Sequence, residues 1–210
     1  MENTIRTPKE HIEEIIGKTF KAIQDAYNYQ TESVPKLDDP RRQKLSRIIF
    51  PRKRKELIRV SEQELRFVFV EQLNDEINKG WDVYYSVETP TKDRYSGFKN
   101  EKDAKPKRDE KGRSGEFDLV IFDNNLKRIA LIEFKANNAS QHDHKKDFVK
   151  LNNEKEGNNN VLRYMIEIVK SYDKNTLKSL YGKTTGNKSE FKCWSLKNGQ
   201  DLSDMIHKAQ

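Results

Sequence analysis

The chain has one cysteine, Cys193, in 210 residues. An internal disulfide is therefore excluded, and no Cys cluster exists for a structural zinc site. No run of 18 apolar residues occurs, so no segment reads as a membrane-spanning helix. The first residues, MENTIRTPKEHIEEIIGK, carry no apolar signal region, and a cytoplasmic protein is the expectation. Gly-rich phosphate loops are absent too: GRSGEFD and YGKTTGNK lack the P-loop spacing, so ATP hydrolysis is not indicated. Apolar residues are scarce, 33% hydrophobic against 36% charged, with a mean hydropathy of -1.03. A core must come from a few concentrated segments, with long polar stretches outside it. What the chain has in excess is positive charge, +7 net with a pI near 9.2. That suits nucleic acid as partner, and equally suits many ordinary basic proteins.

The apolar residues that exist are periodic. Ile12, Ile15, Ile16, Phe20, Ile23 and Tyr27 mark one face of a helix over 8–30, which either packs on the core or supports a homodimer. A proline-containing linker follows. Residues 41–60 then hold nine Lys or Arg and a single acid, Glu56. Ser61 reads as the N-cap of a second helix that ends at Gly80. WDVYYSVET (81–89) reads as a strand, and the 26 residues 90–115, with nine Lys or Arg and five acids, as a long polar loop. A hairpin follows, with arms 116–123 and 127–135 joined through Asp123-Asn124-Asn125, residue types that tolerate positive φ. A helix within 139–155, capped by Asn138 or Ser140, a strand at 161–171, a short helix near 174–181 and a last strand FKCWSL complete the order. The expected organisation is an N-terminal helix and basic linker over 1–59, and an α/β domain with a mixed sheet over 60–210.

The hairpin carries charge where strands usually carry apolar residues. Along its second arm Leu131, Glu133 and Lys135 share a face, and Asp118 on the first arm comes opposite them. Two carboxylates that meet in this way raise each other's pKa unless a cation lies between them. A divalent ion such as Mg²⁺ supplies one, while Lys135 would hold or deprotonate its water or stabilise charge on a phosphate. A bare salt bridge at a strand end is the simpler alternative. The second helix adds an acid. Leu65, Phe69, Leu73 and Ile77 form its apolar stripe and Glu62 points at the centre of that stripe, whereas Glu64 and Glu71 fall on the opposite, solvated face.

An acid-bearing helix, a hairpin with "FD" then "EFK", and a following helix and strand resemble the PD-(D/E)XK nuclease superfamily. The likeness covers about half the chain and includes D-x14-E-x-K at Asp118, Glu133 and Lys135. "SEQEL" also resembles the first-helix acid motif of archaeal Holliday-junction resolvases. Phe117 stands where the nominal motif has proline. The resemblance implies a restriction-endonuclease-like αβββαβ core with a mixed central sheet flanked by helices. It further implies that Asp118, Glu133 and the Phe134 carbonyl hold Mg²⁺, with Mn²⁺ substituting. Lys135 would be the catalytic lysine and Glu62 an auxiliary acid.

The expected activity is metal-dependent hydrolysis of phosphodiester bonds in DNA, as an endonuclease. Backbone contacts are expected from Arg52, Lys53, Arg54 and Lys55, from Arg94, Lys105, Lys107, Arg108 and Arg113, and from Gln141 and Lys145 on the helix after the motif. A solvated start is the other expectation for that helix, including His142, His144 and Lys146. Trp81 and Trp194 are expected to be packing residues. The alternatives are a catalytically inactive nucleic-acid-binding module and a defence or mobile-element accessory protein on the same fold.

Overall fold

The computed structural model describes residues 6–32, 48–54, 57–97, 105–137, 139–184 and 186–208. Helix α1 (Pro8–Glu32) leads, followed by a two-stranded ribbon of β1 (Arg52–Arg54) and β2 (Leu57–Ile58). Next come α2 (Glu62–Asn78), β3 (Tyr84–Ser96), β4 (Lys107–Arg108), β5 (Arg113–Phe122), β6 (Arg128–Ala136) and α3 (Gln141–Leu151). A 3₁₀ turn at Glu154–Glu156 leads into β7 (Leu162–Val169), α4 (Lys174–Thr184), β8 (Glu190–Ser195), β9 (Gln200–Asp201) and α5 (Ser203–His207).

Among the described residues one seven-stranded sheet runs β4-β3-β5-β6-β7-β8-β9. β3, β4, β5 and β6 pair antiparallel, while β6–β7 and β7–β8 are parallel. The sheet is therefore mixed, and α2-β3-β5-β6-α3-β7 follows the expected αβββαβ order. Central strands of such a sheet are covered on both faces. In β7, all six residues from Tyr164 to Val169 are buried.

Each face has its own core. Leu119, Ile121, Ile132, Phe134, Tyr164 and Ile166 pack with α1 and α2. Val120, Leu131, Met165 and Phe191 pack with Phe148 and Leu151 of α3, Leu180 of α4 and Ile206 of α5. The apolar face of α1 is wholly inside, with Ile12, Ile15 and Ile23 at 0% exposure. The helix thus belongs to the same core as the domain expected to start at residue 60. Trp81 stacks on His11 at 4.6 Å, and Trp194 stacks on Phe20 at 5.5 Å, both as packing residues.

Several local expectations need correction. β3 does not end at residue 89 but continues to Ser96, and β5 starts at Arg113, so much of the expected loop 90–115 is sheet. Thr91, Asp93 and Tyr95 alternate inward, two of them polar, which hid the strand period. Their burial is made tolerable from 60 residues away. The fully buried Glu156 carboxylate accepts from the Lys92 and Asp93 amides at 2.8 and 2.9 Å, from Tyr95 Oη at 2.9 Å and from Arg128 at 2.9 Å. Gly112 is obligatory in the return to β5, because a Cβ there would lie 2.1 Å from the Tyr95 carbonyl.

In the β5–β6 turn the positive φ falls on Leu126 (58°), not on the asparagines. Asp123 Oδ1 accepts from the Asn125 and Lys127 amides instead. Glu64 is buried rather than solvated, since its carboxylate accepts from the Ser61 amide at 3.0 Å in a capping box. β9 and α5, after the last expected strand, went unread because each is too short to show a period.

Replacing Glu156 with Ala removes the carboxylate that faces Arg128 and the acceptor of the Lys92 and Asp93 amides. Loss of one partner from a buried ion pair costs about 3–5 kcal/mol, so chemical denaturation of Glu156→Ala is expected to show a loss of that size. Hydrogen exchange should accelerate first at Lys92 and Asp93.

Glu76 predicts an acid sensitivity. This buried carboxylate meets Lys18 at 2.8 Å and Lys79 at 3.0 Å, and Lys18 foremost holds its pKa at about 2, against an ordinary 4.5. Between those values the unfolded chain binds the proton and the folded chain does not. Stability contributed by Glu76 is therefore present above pH 4.5 and lost as pH falls toward 2. Thermal melts of Glu76→Gln should lack this part of the acid decline.

Candidate active site

Three local features bring Glu62 to the end of β6. The capping box starts α2 at Ser61. Phe69 packs edge-on against Phe134 of β6 with ring centroids 5.3 Å apart. Asn137, at φ 60° just after β6, donates from its side chain to the Val60 carbonyl. Asparagine is among the few residues that adopt this backbone routinely. Together these ties place Glu62 Oε1 3.8 Å from Lys135 Nζ.

Asp118 lies where β5 and β6 part. The last regular pair is Leu119↔Ile132, and one step outward the Asp118 side chain replaces the main chain, accepting from the Phe134 amide at 2.7 Å. Asp118 therefore stands across from Glu133, as the hairpin parity anticipates. On the neighbouring strand Glu88 fills the position flanked by Val87↔Leu119 and Thr89↔Phe117, and it does so at φ 49°. A glutamate held in the left-handed region stores strain of order 1 kcal/mol, a feature frequent at functional sites.

These residues line one cleft of about 320 Å³ together with Gln63, Arg66, Glu116, Phe117, Lys146, Asp147 and Lys150. All four expected site residues, Glu62, Asp118, Glu133 and Lys135, are there. Asp147 and Lys150 of α3 were missed. Both are buried, and they pair with the residues that were expected. Lys150 Nζ lies 2.5 Å from Glu133 Oε1 and 2.9 Å from Asp147 Oδ1. The other Asp147 oxygen lies 2.6 Å from Lys135 Nζ. The charges thus alternate: Glu133, Lys150, Asp147, Lys135, Glu62. The signal was available, because Asp147 lies on the same helical stripe as His144, Phe148 and Leu151, the stripe logic that singled out Glu62.

Electrostatics follow from burial and this alternation. Burial, then the Asp147 charge, drives the Glu133 carboxyl well above its usual range, with Lys150 opposing. Burial also raises Glu62, aided by Asp118 and Asp147 and opposed by Lys135. For Lys135 burial pulls the pKa down, but Asp147, Glu133 and Glu62 outweigh it and the ammonium is held above its ordinary value. Lys150 behaves alike: burial pulls it down, and Glu133 and Asp147 more than reverse this. Asp147 goes the other way, burial being overcome by Lys150 and Lys135, so it stays ionised.

The donor set suits a hard divalent ion in type, as carboxylates with one backbone carbonyl. Six acids and four basic side chains line the cleft, a net charge of two negatives when all are ionised. Among the described residues no three His, Cys, Asp or Glu side chains converge as a ready-made metal cluster. Glu133 has Lys150 against one oxygen, and the Phe134 carbonyl accepts from Lys135 Nζ at 3.0 Å. Asp118 and Glu133 are the pair that would hold such an ion.

The other expected contacts scatter. Arg108, Gln141 and Lys145 line a separate, larger groove of about 850 Å³ with Lys155 and Lys183. Helix α3 forms the wall between the two concavities, Gln141, Lys145 and Phe148 on one side, Lys146, Asp147 and Lys150 on the other. Arg94, Lys105, Lys107 and Arg113 are exposed around the β3–β4–β5 end of the sheet. The Arg52, Lys53 and Arg54 backbone forms β1, and Lys55 lies outside the described residues. The start of α3 is only partly solvated, since His144 is fully buried with Nε2 2.7 Å from Glu167 Oε2. His142 turns the other way, its Nε2 lying 2.9 Å from the Gly97 carbonyl oxygen.

Comparison with models of known protein families, with curated proteins and with solved structures gives no match.

Asp147 is the bridge of the charge chain. Asp147→Asn leaves two buried ammonium groups sharing a neutral amide, and breaking a buried pair costs about 3–5 kcal/mol. Equilibrium unfolding of this variant should show that loss, against under 1 kcal/mol for Lys188→Ala at the exposed Lys188–Glu154 pair.

Proposed function

We propose that the chain is a metal-dependent nuclease of the PD-(D/E)XK type, hydrolysing phosphodiester bonds in DNA. The observation that carries this reading is the meeting of Glu62, from the start of α2, with Lys135, at the end of β6, at 3.8 Å. The two were selected by unrelated patterns, one helical and one strand-based. The αβββαβ element order supports it, as does the position of Asp118 across from Glu133.

Mg²⁺, with Mn²⁺ substituting, would be held by Asp118 and Glu133, and would supply charge neutralisation and Lewis acidity toward water and phosphate. Lys135 keeps its proton in this setting, so its part is to stabilise negative charge developing on the phosphate rather than to abstract a proton. Glu62, half-exposed with a raised pKa, is the group placed to accept a proton from an attacking water. The strand-end acids cannot approach a phosphate unaided, and the cations of the 850 Å³ groove would hold the flanking backbone without reading sequence.

The contact of Lys150 with Glu133 favours a second reading, a nucleic-acid-binding module whose acids are neutralised internally. Incubation with supercoiled plasmid and with linear single strands separates the two. The expected result is nicking of the plasmid with Mg²⁺ or Mn²⁺, none with EDTA, and a loss of at least about a hundredfold in Lys135→Ala and Asp118→Asn. Binding without cleavage in any metal sinks the nuclease and leaves the module. Cleavage that survives in both variants places the chemistry elsewhere.

A further inference from the structure

The nuclease reading uses Glu62, Asp118, Glu133 and Lys135 and leaves a second buried lysine unused. Lysines normally run their aliphatic stems along the protein and keep the ammonium in water. Lys150 does the reverse, with its side chain 4% exposed. Taking an ammonium out of water costs several kcal/mol unless its surroundings replace the lost hydration. Here they do. Lys150 Nζ donates to the Glu116 carbonyl at 2.6 Å and lies 2.5 Å from Glu133 Oε1 and 2.9 Å from Asp147 Oδ1. The Phe117 ring faces it with its centroid 5.5 Å away.

Three oxygens from β5, β6 and α3, two of them carboxylate, are the donors a hard divalent cation takes. An ammonium placed among the same oxygens offsets their charge, donating to the Glu116 carbonyl and pairing with the two carboxylates. An ordinary helix-to-sheet ion pair needs one carboxylate and leaves the nitrogen wet. This one is closed on all sides, next to an acid expected to hold metal.

Resting on the reading of this cleft as a metal site, we infer that Lys150 is a tethered counter-ion filling the inner cation position, so that the cleft takes one divalent ion and not two. The charge balance agrees. With Lys150 in place and every group ionised, the lining carries two negative charges in excess, which one divalent ion cancels and a second would overshoot. The single ion belongs at Asp118 and the Glu133 oxygen that does not face Lys150. Asp147 is a positioning residue, because it fixes Lys150 from one helical turn away and Lys135 with its other oxygen.

The test is Mn²⁺ binding to the full chain without DNA, counted by electron paramagnetic resonance of free Mn²⁺ and by calorimetry, with melting curves alongside. The wild type should bind one Mn²⁺. Lys150→Met should bind two, or one at least about tenfold more tightly, with a larger Mn²⁺-induced rise in melting temperature than the wild type. Should Lys150→Met fail to fold with Glu133 and Asp147 unpaired, Lys150→Gln, which removes the charge but keeps a hydrogen-bond donor and both carboxylates, takes its place with the same expectation. Two ions in the wild type, or a count and affinity unchanged by removing Lys150, would overturn the inference. A wild type that binds none beside a variant that binds one keeps Lys150 as the occupant and removes the metal-dependent nuclease. No binding in either ends both.

Discussion

Asp147 gives one oxygen to Lys135 and the other to Lys150, and Lys150 in turn meets Glu133. This bridge is what allows four charged side chains to lie buried at one end of a sheet. Each of them alone would cost several kcal/mol in a low-dielectric interior, and only the alternation of sign offsets it. The surrounding elements serve that constraint. β6 supplies Glu133 and Lys135, α3 returns across the sheet with its lysine and aspartate one turn apart, and Phe117 closes the far side. Removing any one member exposes its neighbours to an unpaired charge.

The same alternation shapes chemistry. Because Asp147 holds it, Lys135 points toward Glu62 and the cleft mouth with its proton secured. Asp118, used as a hydrogen-bond acceptor where β5 and β6 part, is fixed at the rim by the Phe134 amide. A cleft built in this way keeps its buried half neutral and its open half negative. On the proposed reading, that polarity lets a divalent ion enter from solvent beside a phosphate, with the cationic groove across α3 holding the substrate backbone.

A second buried carboxylate, Glu156, does comparable work where it meets β3 and the start of β6. It takes two amides, a phenol and a guanidinium, and so converts a polar stretch into the outer half of β3. The two hubs differ in one respect. Around Glu156 every partner is a donor and the arrangement is saturated, whereas at Glu133 a single ammonium meets a carboxylate that burial and Asp147 both destabilise. The first is structural by its completeness, and the second keeps unmet demand for positive charge.

Much was legible along the chain because it was local. Period 3.6 marked α1 and α2, period 2 marked the hairpin arms and β7, and parity alone put Asp118 across from Glu133 with Lys135 beside them. Glu62 was legible as an acid on an apolar stripe. What the chain order could not decide was which distant group answers each buried charge. Glu156 makes strand of a segment that composition marks as loop, and Lys150 occupies the oxygens beside Glu133. Both depend on contacts 17 to 64 residues apart in sequence. Periodicity reports which face of an element turns inward. Only the folded chain determines what it meets there, because the desolvation of a charge and its compensation come from different elements.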